Sequence, residues 1–365
     1  MQNKQKLDYI DALRGFAILL VIFAHTGQMF PLAYPSYLKS LIDFGPRGVQ
    51  LFFIVSALTL FLSGTKRYQT DINPTLNFFI RRFFRIAPLY YLGILSYSII
   101  ESGTDIVTIG NVLRNLLFIN DLYPDNSLVP GGWSISSEML FYLFVPYLFT
   151  RLKSLNDAAL FTAISLFVAI LCKIMVEKIN LNIDPEFEHQ INFPYLFPFS
   201  IPVFGIGICF YFIIFKGDTL IKPIYLLGTS ILLLVSIMYN SGVVFLYFQT
   251  MAFGVVAYAL SKFEFSLLVN SITTYFGKVS YSMYMVHFVV IKMIHSTKVL
   301  HYFPLEGKPL IIEFAIKFSL IVTGTVLISS ILYHLIEVPG QNIGKAIIKR
   351  LDSRSQIKSL IISSQ

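Results

Sequence analysis

The chain has 365 residues, 55% of them hydrophobic and 13% charged, with a mean hydropathy of +0.70 and a formal charge of +8. Soluble globular domains carry about 25% charged residues, so this composition excludes that class and identifies a polytopic membrane protein. The basic residues sit at the ends of apolar segments, which argues against a nucleic-acid partner. The two cysteines, Cys172 and Cys209, lie inside apolar segments, which argues against a disulfide framework or a metal cluster.

The first apolar segment reads DYIDALRGFAILLVIFAH, with ten residues between Arg14 and His25. Eleven helical steps of ~100° return to within about 20° of the start, so Arg14 and His25 share a face. The rise of ~1.5 Å per residue separates them by roughly 16 Å, about half of the ~30 Å hydrocarbon core. If the helix spans a bilayer, Arg14 lies near one surface and His25 near the middle. Asp11, three residues before Arg14, joins the same stripe. An ionisable group at mid-membrane costs ~2.5–3.5 kcal/mol on insertion scales and marks a functional candidate. Lysines precede this segment as in a signal peptide, but its internal charges and the lack of a small-residue cleavage site predict a retained first span.

Apolar segments follow in order at 49–62, 78–100, 133–149, 157–176, 193–215, 223–239, 243–260, 274–294 and 311–336, after the first at 9–30. They predict an all-α integral membrane protein of about ten transmembrane helices with both termini cytoplasmic. That topology puts most lysines and arginines inside. Between the third and fourth segments, the apolar run 112–119 is too short to cross and is expected to lie at the interface or re-enter. Residues 1–340 read as one membrane domain and 341–365 as a basic cytoplasmic tail.

Three further polar groups interrupt the apolar background. In FFIRRFFRIAPLYY, Arg82 and Arg85 are three apart and share a helix face that suits phosphate oxygens, although such clusters also serve simply to set topology. In GGWSISSEMLFY, Glu138 sits in the first turns of a span, where the helix dipole favours a carboxylate, and shares a face with Tyr142. Trp133 beside it is also the residue type of an interface anchor. In SYSMYMVH, Tyr284 and His287 face the same way, and a packed histidine is the plainer reading of His287. On these residues alone, two readings stay open. One is a membrane enzyme; the other is a transporter or flippase of lipid-linked glycan or acyl groups that uses Arg, His and Glu as a relay.

The ordered set of motifs resembles the acyltransferase-3 family of integral membrane acyltransferases, which modify sugars of bacterial surface polysaccharides. DYIDALRGFAILLVIFAH resembles its arginine–ten residues–histidine signature, and GVQLFFIVSALTL its second-span run, with Ala57 where glycine is usual. FFIRRFFRIAPLYY resembles its RxxR segment. GGWSISSEMLFYLFVP resembles its WSLxxE segment, with Met139 where a second acid is frequent. SYSMYMVH and IEVP, which holds Glu337, resemble its last two signatures. The resemblance implies an acyl-CoA donor, most often acetyl-CoA, arriving from the cytoplasm, and a sugar hydroxyl of a cell-envelope glycan or lipid-linked saccharide as acceptor. It implies His25 as general base with Glu138 as its catalytic companion, and Arg14, Arg82 and Arg85 as donor-binding residues. Asp11, Trp133, Tyr142, Tyr284 and His287 are then expected to contact substrate. No metal is required, and the expected location is the bacterial inner membrane.

Overall fold

The computed structural model describes residues 7–122, 127–183, 196–217, 243–263, 265–297 and 309–363. Among these residues the secondary structure is helical and no strand occurs. The helices are α1 (Asp8–Met29), α2 (Ser36–Phe44), α3 (Gly48–Thr70), α4 (Pro74–Ile100), α5 (Ile109–Leu116), α6 (Gly132–Arg151) and α7 (Leu155–Ile183). They continue as α8 (Phe197–Lys216), α9 (Val243–Lys262), α10 (Ser271–Lys278), α11 (Ser280–Ser296), α12 (Leu310–Leu332) and α13 (Val338–Ser363). A π-helical turn, Tyr333–Glu337, joins α12 to α13 without a break.

Six stretches among the described residues are long and apolar enough to cross a membrane: Asp8–Met29, Ser36–Thr70, Pro74–Ile100, Leu155–Met175, Phe197–Lys216 and Leu310–Ser355. The described residues thus show six of these stretches rather than the full expected set of ten, and the segment expected at 223–239 lies outside the described residues. Two departures have local causes. The segment expected at 274–294 is broken. Asn270 caps α10 by accepting from the backbone N–H groups of Ile272 and Thr273, α10 stops at Lys278, and the 17-residue α11 is shorter than the ~20 residues of a span. In α6, three serines and Glu138 occupy the first two turns and dilute its hydropathy. The run at 112–119 forms the short helix α5, capped by the Thr108 hydroxyl, which accepts from the Asn111 backbone N–H. Helix α2 was not anticipated from the sequence. Helix α13 runs through position 340 without interruption.

Exposed side chains on α7 agree with a lipid environment. Leu160, Ile164, Phe167 and Leu171, spaced at helical periodicity, all stand on the outer surface.

The chain divides into two compact units. The first is Met1–Leu58 with Ser154–Ser330, the second Thr59–Lys153 with Ile331–Gln365. Lipid is as apolar as leucine, so membrane helices associate through close packing and hydrogen bonds rather than hydrophobic burial. In the first unit, α1 is buried along most of its length and α10 lies directly on its start. Contact there is backbone to backbone: a Cβ at Gly277 would stand 1.8 Å from the Asp11 carbonyl oxygen. In the second unit, α13 packs on α4 through Gly340 and Gly344, four apart. A Cβ on either would come within 2.9 Å of Phe84. Farther along α13, Asn77, fully buried on α4, donates to both carboxylate oxygens of Asp352 at 3.2 Å. Asn73 donates to Ser355 Oγ at 3.2 Å.

Candidate active site

In the first unit the site begins with α1. Arg14 Nη1 donates to Asp11 Oδ1 at 3.2 Å, one turn back. Three turns further along, His25 Nδ1 lies 2.9 Å from Gln28 Oε1. His287, on α11, is fully buried, with Nδ1 2.7 Å from the Tyr284 carbonyl oxygen. Its ring stacks on that of His25, with centroids 5.4 Å apart and planes 29° from parallel. Phe288 closes the pair, its centroid 4.4 Å from His25 and 4.3 Å from His287. The Tyr284 ring sits 5.5 Å from His287 and 6.1 Å from Phe52.

A backbone carbonyl only accepts, so a neutral His287 carries its hydrogen on Nδ1 and presents Nε2 as the basic nitrogen; with the Gln28 amide oxygen turned toward Nδ1, a neutral His25 does the same. His287 Nε2 is buried with no hydrogen-bond partner. An orphaned buried acceptor is costly, about 1–3 kcal/mol, unless something arrives to donate to it. Two basic nitrogens inside an aromatic shell are suited to removing and holding a proton from a hydroxyl.

In the second unit, the first turns of α6 carry Trp133, half-buried, and Glu138, whose Oε1 accepts from the Tyr142 hydroxyl at 2.5 Å. Tyr142 also faces Arg82. The guanidinium carbon stands 5.5 Å from the Tyr142 centroid and 5.6 Å from that of Phe78, within cation–π range. Arg82 Nε is buried and unpartnered. Arg82 and Arg85 line a cleft of about 420 Å³ together with Arg67, Arg81, Gln341, Lys345, Ile348 and Lys349. Arg81 is paired with Asp71.

Beside α6 lies a polar cluster that holds the approach to the motif. Ser136 Oγ donates to the Phe118 carbonyl at 2.6 Å and accepts from the Asp121 N–H at 3.2 Å, while Ser137 Oγ donates to Asp121 Oδ2. Asp121 Oδ1 is buried without a partner. Burial pushes the Asp121 carboxyl up to about 7, against the pull of the Ser137 hydrogen bond.

The residues singled out by sequence thus fall in two groups: Asp11, Arg14, His25, Tyr284 and His287 in one unit, and Arg82, Arg85, Trp133, Glu138 and Tyr142 in the other. Sequence reasoning missed Gln28, Asp121, Arg67, Lys345 and Lys349. Gln28 stood three residues past His25 and was visible as a helical neighbour. The lysines were assigned to a tail, although their four-residue spacing put them on one helix face. Among the described residues no three His, Cys, Asp or Glu side chains converge as a metal-ligand set.

Comparison with known proteins identifies the family. A protein of Acidianus two-tailed virus, named "Putative acetyltransferase", is 28% identical over 296 residues, covering 77% of this chain and 82% of its own. A Staphylococcus aureus (strain MRSA252) protein named "Putative O-acetyltransferase" is 24% identical over 383 residues, 95% of this chain but 58% of that protein. Acyltransferase MdmB of Streptomyces mycarofaciens is 25% identical over 181 residues, 46% of each chain. This chain therefore spans less than two thirds of the Staphylococcus and Streptomyces relatives. No solved structure matches. The family described as "Acyltransferase domain" matches residues 7–334, nearly the whole chain, and the chain therefore belongs to the acyltransferase-3 family and is an acyltransferase.

Proposed function

We infer that the protein moves an acyl group, acetyl in the simplest case, from cytoplasmic acyl-CoA to a hydroxyl of a cell-envelope glycan or lipid-linked saccharide. The supporting observation is the stacked pair of His25 and His287, each with Nδ1 committed to an oxygen and Nε2 left basic. His25 Nε2 takes the proton of the acceptor hydroxyl while its oxygen attacks the thioester carbonyl. The carbon–sulfur bond breaks and the CoA sulfur leaves with the proton. His287 Nε2 accepts a hydrogen bond from the sugar, and Tyr284 packs beside it. Arg14, steadied by Asp11, is a donor-binding residue of the first unit, and Arg82 and Arg85 bind donor phosphates in the second. Glu138, held by Tyr142, is the second acid–base group, and Trp133 is a stacking surface for the sugar. The topology that goes with this reading has ten spans with both termini in the cytoplasm of a bacterial inner membrane. The family match favours acyl transfer over the transporter reading.

The test is transfer of labelled acetyl from acetyl-CoA to a lipid-linked sugar by the purified protein. His25→Ala is expected to lose about 10²–10⁴-fold in turnover, the usual worth of a general base, while its elution and thermal midpoint stay as in the parent. Full turnover in that variant would remove His25 from the reaction.

A further inference from the structure

The cleft of the second unit is walled by a helix that the acyl-transfer chemistry does not use. Gln341, Lys345 and Lys349 repeat every four residues along α13 and so lie on one face. They line the cleft opposite Arg67, Arg81, Arg82 and Arg85. No carboxylate lines it among the described residues, and Arg81 is paired with Asp71.

Six cations around one cleft repel one another, an arrangement that becomes favourable when an anion fills it. The wall is also fixed. Gly340 and Gly344 seat α13 against Phe84, and Asp352 is held by Asn77 beyond the lysines, so the cationic face is clamped on both sides. A volume of about 420 Å³ is within the range of small-molecule sites, ~300–1,000 Å³. The cleft has direction as well. Arg82, with its buried Nε, leads to Tyr142 and Glu138, whereas Lys345 and Lys349 are exposed.

We propose that α13 forms part of the donor site, with Lys345 and Lys349 binding the ribose phosphate at the nucleotide end of the donor while Arg82 and Arg85 take the diphosphate. This rests on the acyl-CoA reading above. It makes the protein selective for a donor that carries a clustered third phosphate, and it turns a stretch expected to be a mere surface tail into a specificity element. The same phosphate chemistry is offered by anionic lipid headgroups, and the experiment separates the two sources.

The full-length protein is placed in phosphatidylcholine nanodiscs, and binding of CoA and 3′-dephospho-CoA is measured for the parent and for K345A/K349A. The double variant is expected to bind CoA about ten-fold more weakly, equivalent to about 1.4 kcal/mol. Dephospho-CoA should bind the parent weakly and be indifferent to the double substitution. K345R/K349R should restore CoA binding, and R350A, exposed and off the cleft, should leave it unchanged. Both lysines are exposed, so truncating them leaves the packing intact. If the parent binds CoA and the double variant binds it equally well, α13 is not part of the site, although the donor reading survives. If the parent binds no CoA but retains phosphatidylglycerol through these lysines, the donor reading itself fails and the cleft is a lipid site.

Discussion

The two units handle charge in opposite ways. In the first, the polar side chains around the histidines each make a local contact. Arg14 is tied to Asp11, His25 to Gln28, and His287 to a backbone carbonyl, with aromatic rings filling the space around the two histidines. In the second, six cations gather around an open cleft on α3, α4 and α13, and α13 is seated there by close packing of Gly340 and Gly344 on Phe84. The contrast matches the two tasks proposed above. A proton-transfer centre gains from a dry, low-dielectric shell in which one nitrogen is left basic. A phosphate site gains from charges that water and ligand can reach.

Four changes would break or sharpen this contrast, taken from the largest expected effect to the smallest. Gly277→Ala forces a Cβ into the Asp11 carbonyl, and relief requires moving α10 off α1. A loss of about 3 kcal/mol in stability is expected, the upper range for overpacking, read as a fall in thermal midpoint. An unchanged midpoint would mean that the first unit is not held by this contact. His287→Ala removes the second basic nitrogen and should cut kcat about 100-fold, with donor KM unchanged; a rise in donor KM instead would place donor binding in the histidine region.

Asp121, in the second unit, is a buried carboxyl away from the cationic cleft. Its folded-state value lies above the ordinary carboxylate value. The native state therefore holds the proton more tightly, and stability present at acid pH is lost as pH rises toward about 7. Asp121→Asn should flatten that fall, worth about 2 kcal/mol between about pH 5 and about pH 7. Midpoints that fall equally in parent and variant would assign the dependence elsewhere. Last, Arg82→Ala should raise donor KM about ten-fold with kcat retained, and a loss confined to kcat would move Arg82 from binding to chemistry.

What the sequence made legible was whatever a single helix decides. Asp11 with Arg14, Glu138 with Tyr142, and Tyr284 with His287 are three or four residues apart, and helical geometry alone brings each pair together. Contacts between helices were not legible. Nothing in SYSMYMVH says that His287 meets His25, and nothing in the basic C-terminal segment says that Asp352 reaches Asn77. The break before Ser280 was hidden for a related reason. Residues 274–294 are mostly apolar and long enough to read as one span, and the close seat of α10 against α1 is a tertiary feature that periodicity does not carry.

The π-helical turn at Tyr333–Glu337 has a consequence for how this protein can change. It adds one residue to the helical ladder, so all that follows is turned by about 100° relative to a regular helix. Deleting a single residue there would swing Lys345 and Lys349 away from the arginines without altering any of those side chains. On the donor site proposed above, a one-codon insertion or deletion in this short stretch is expected to change donor preference, an effect that a scan limited to substitutions would miss.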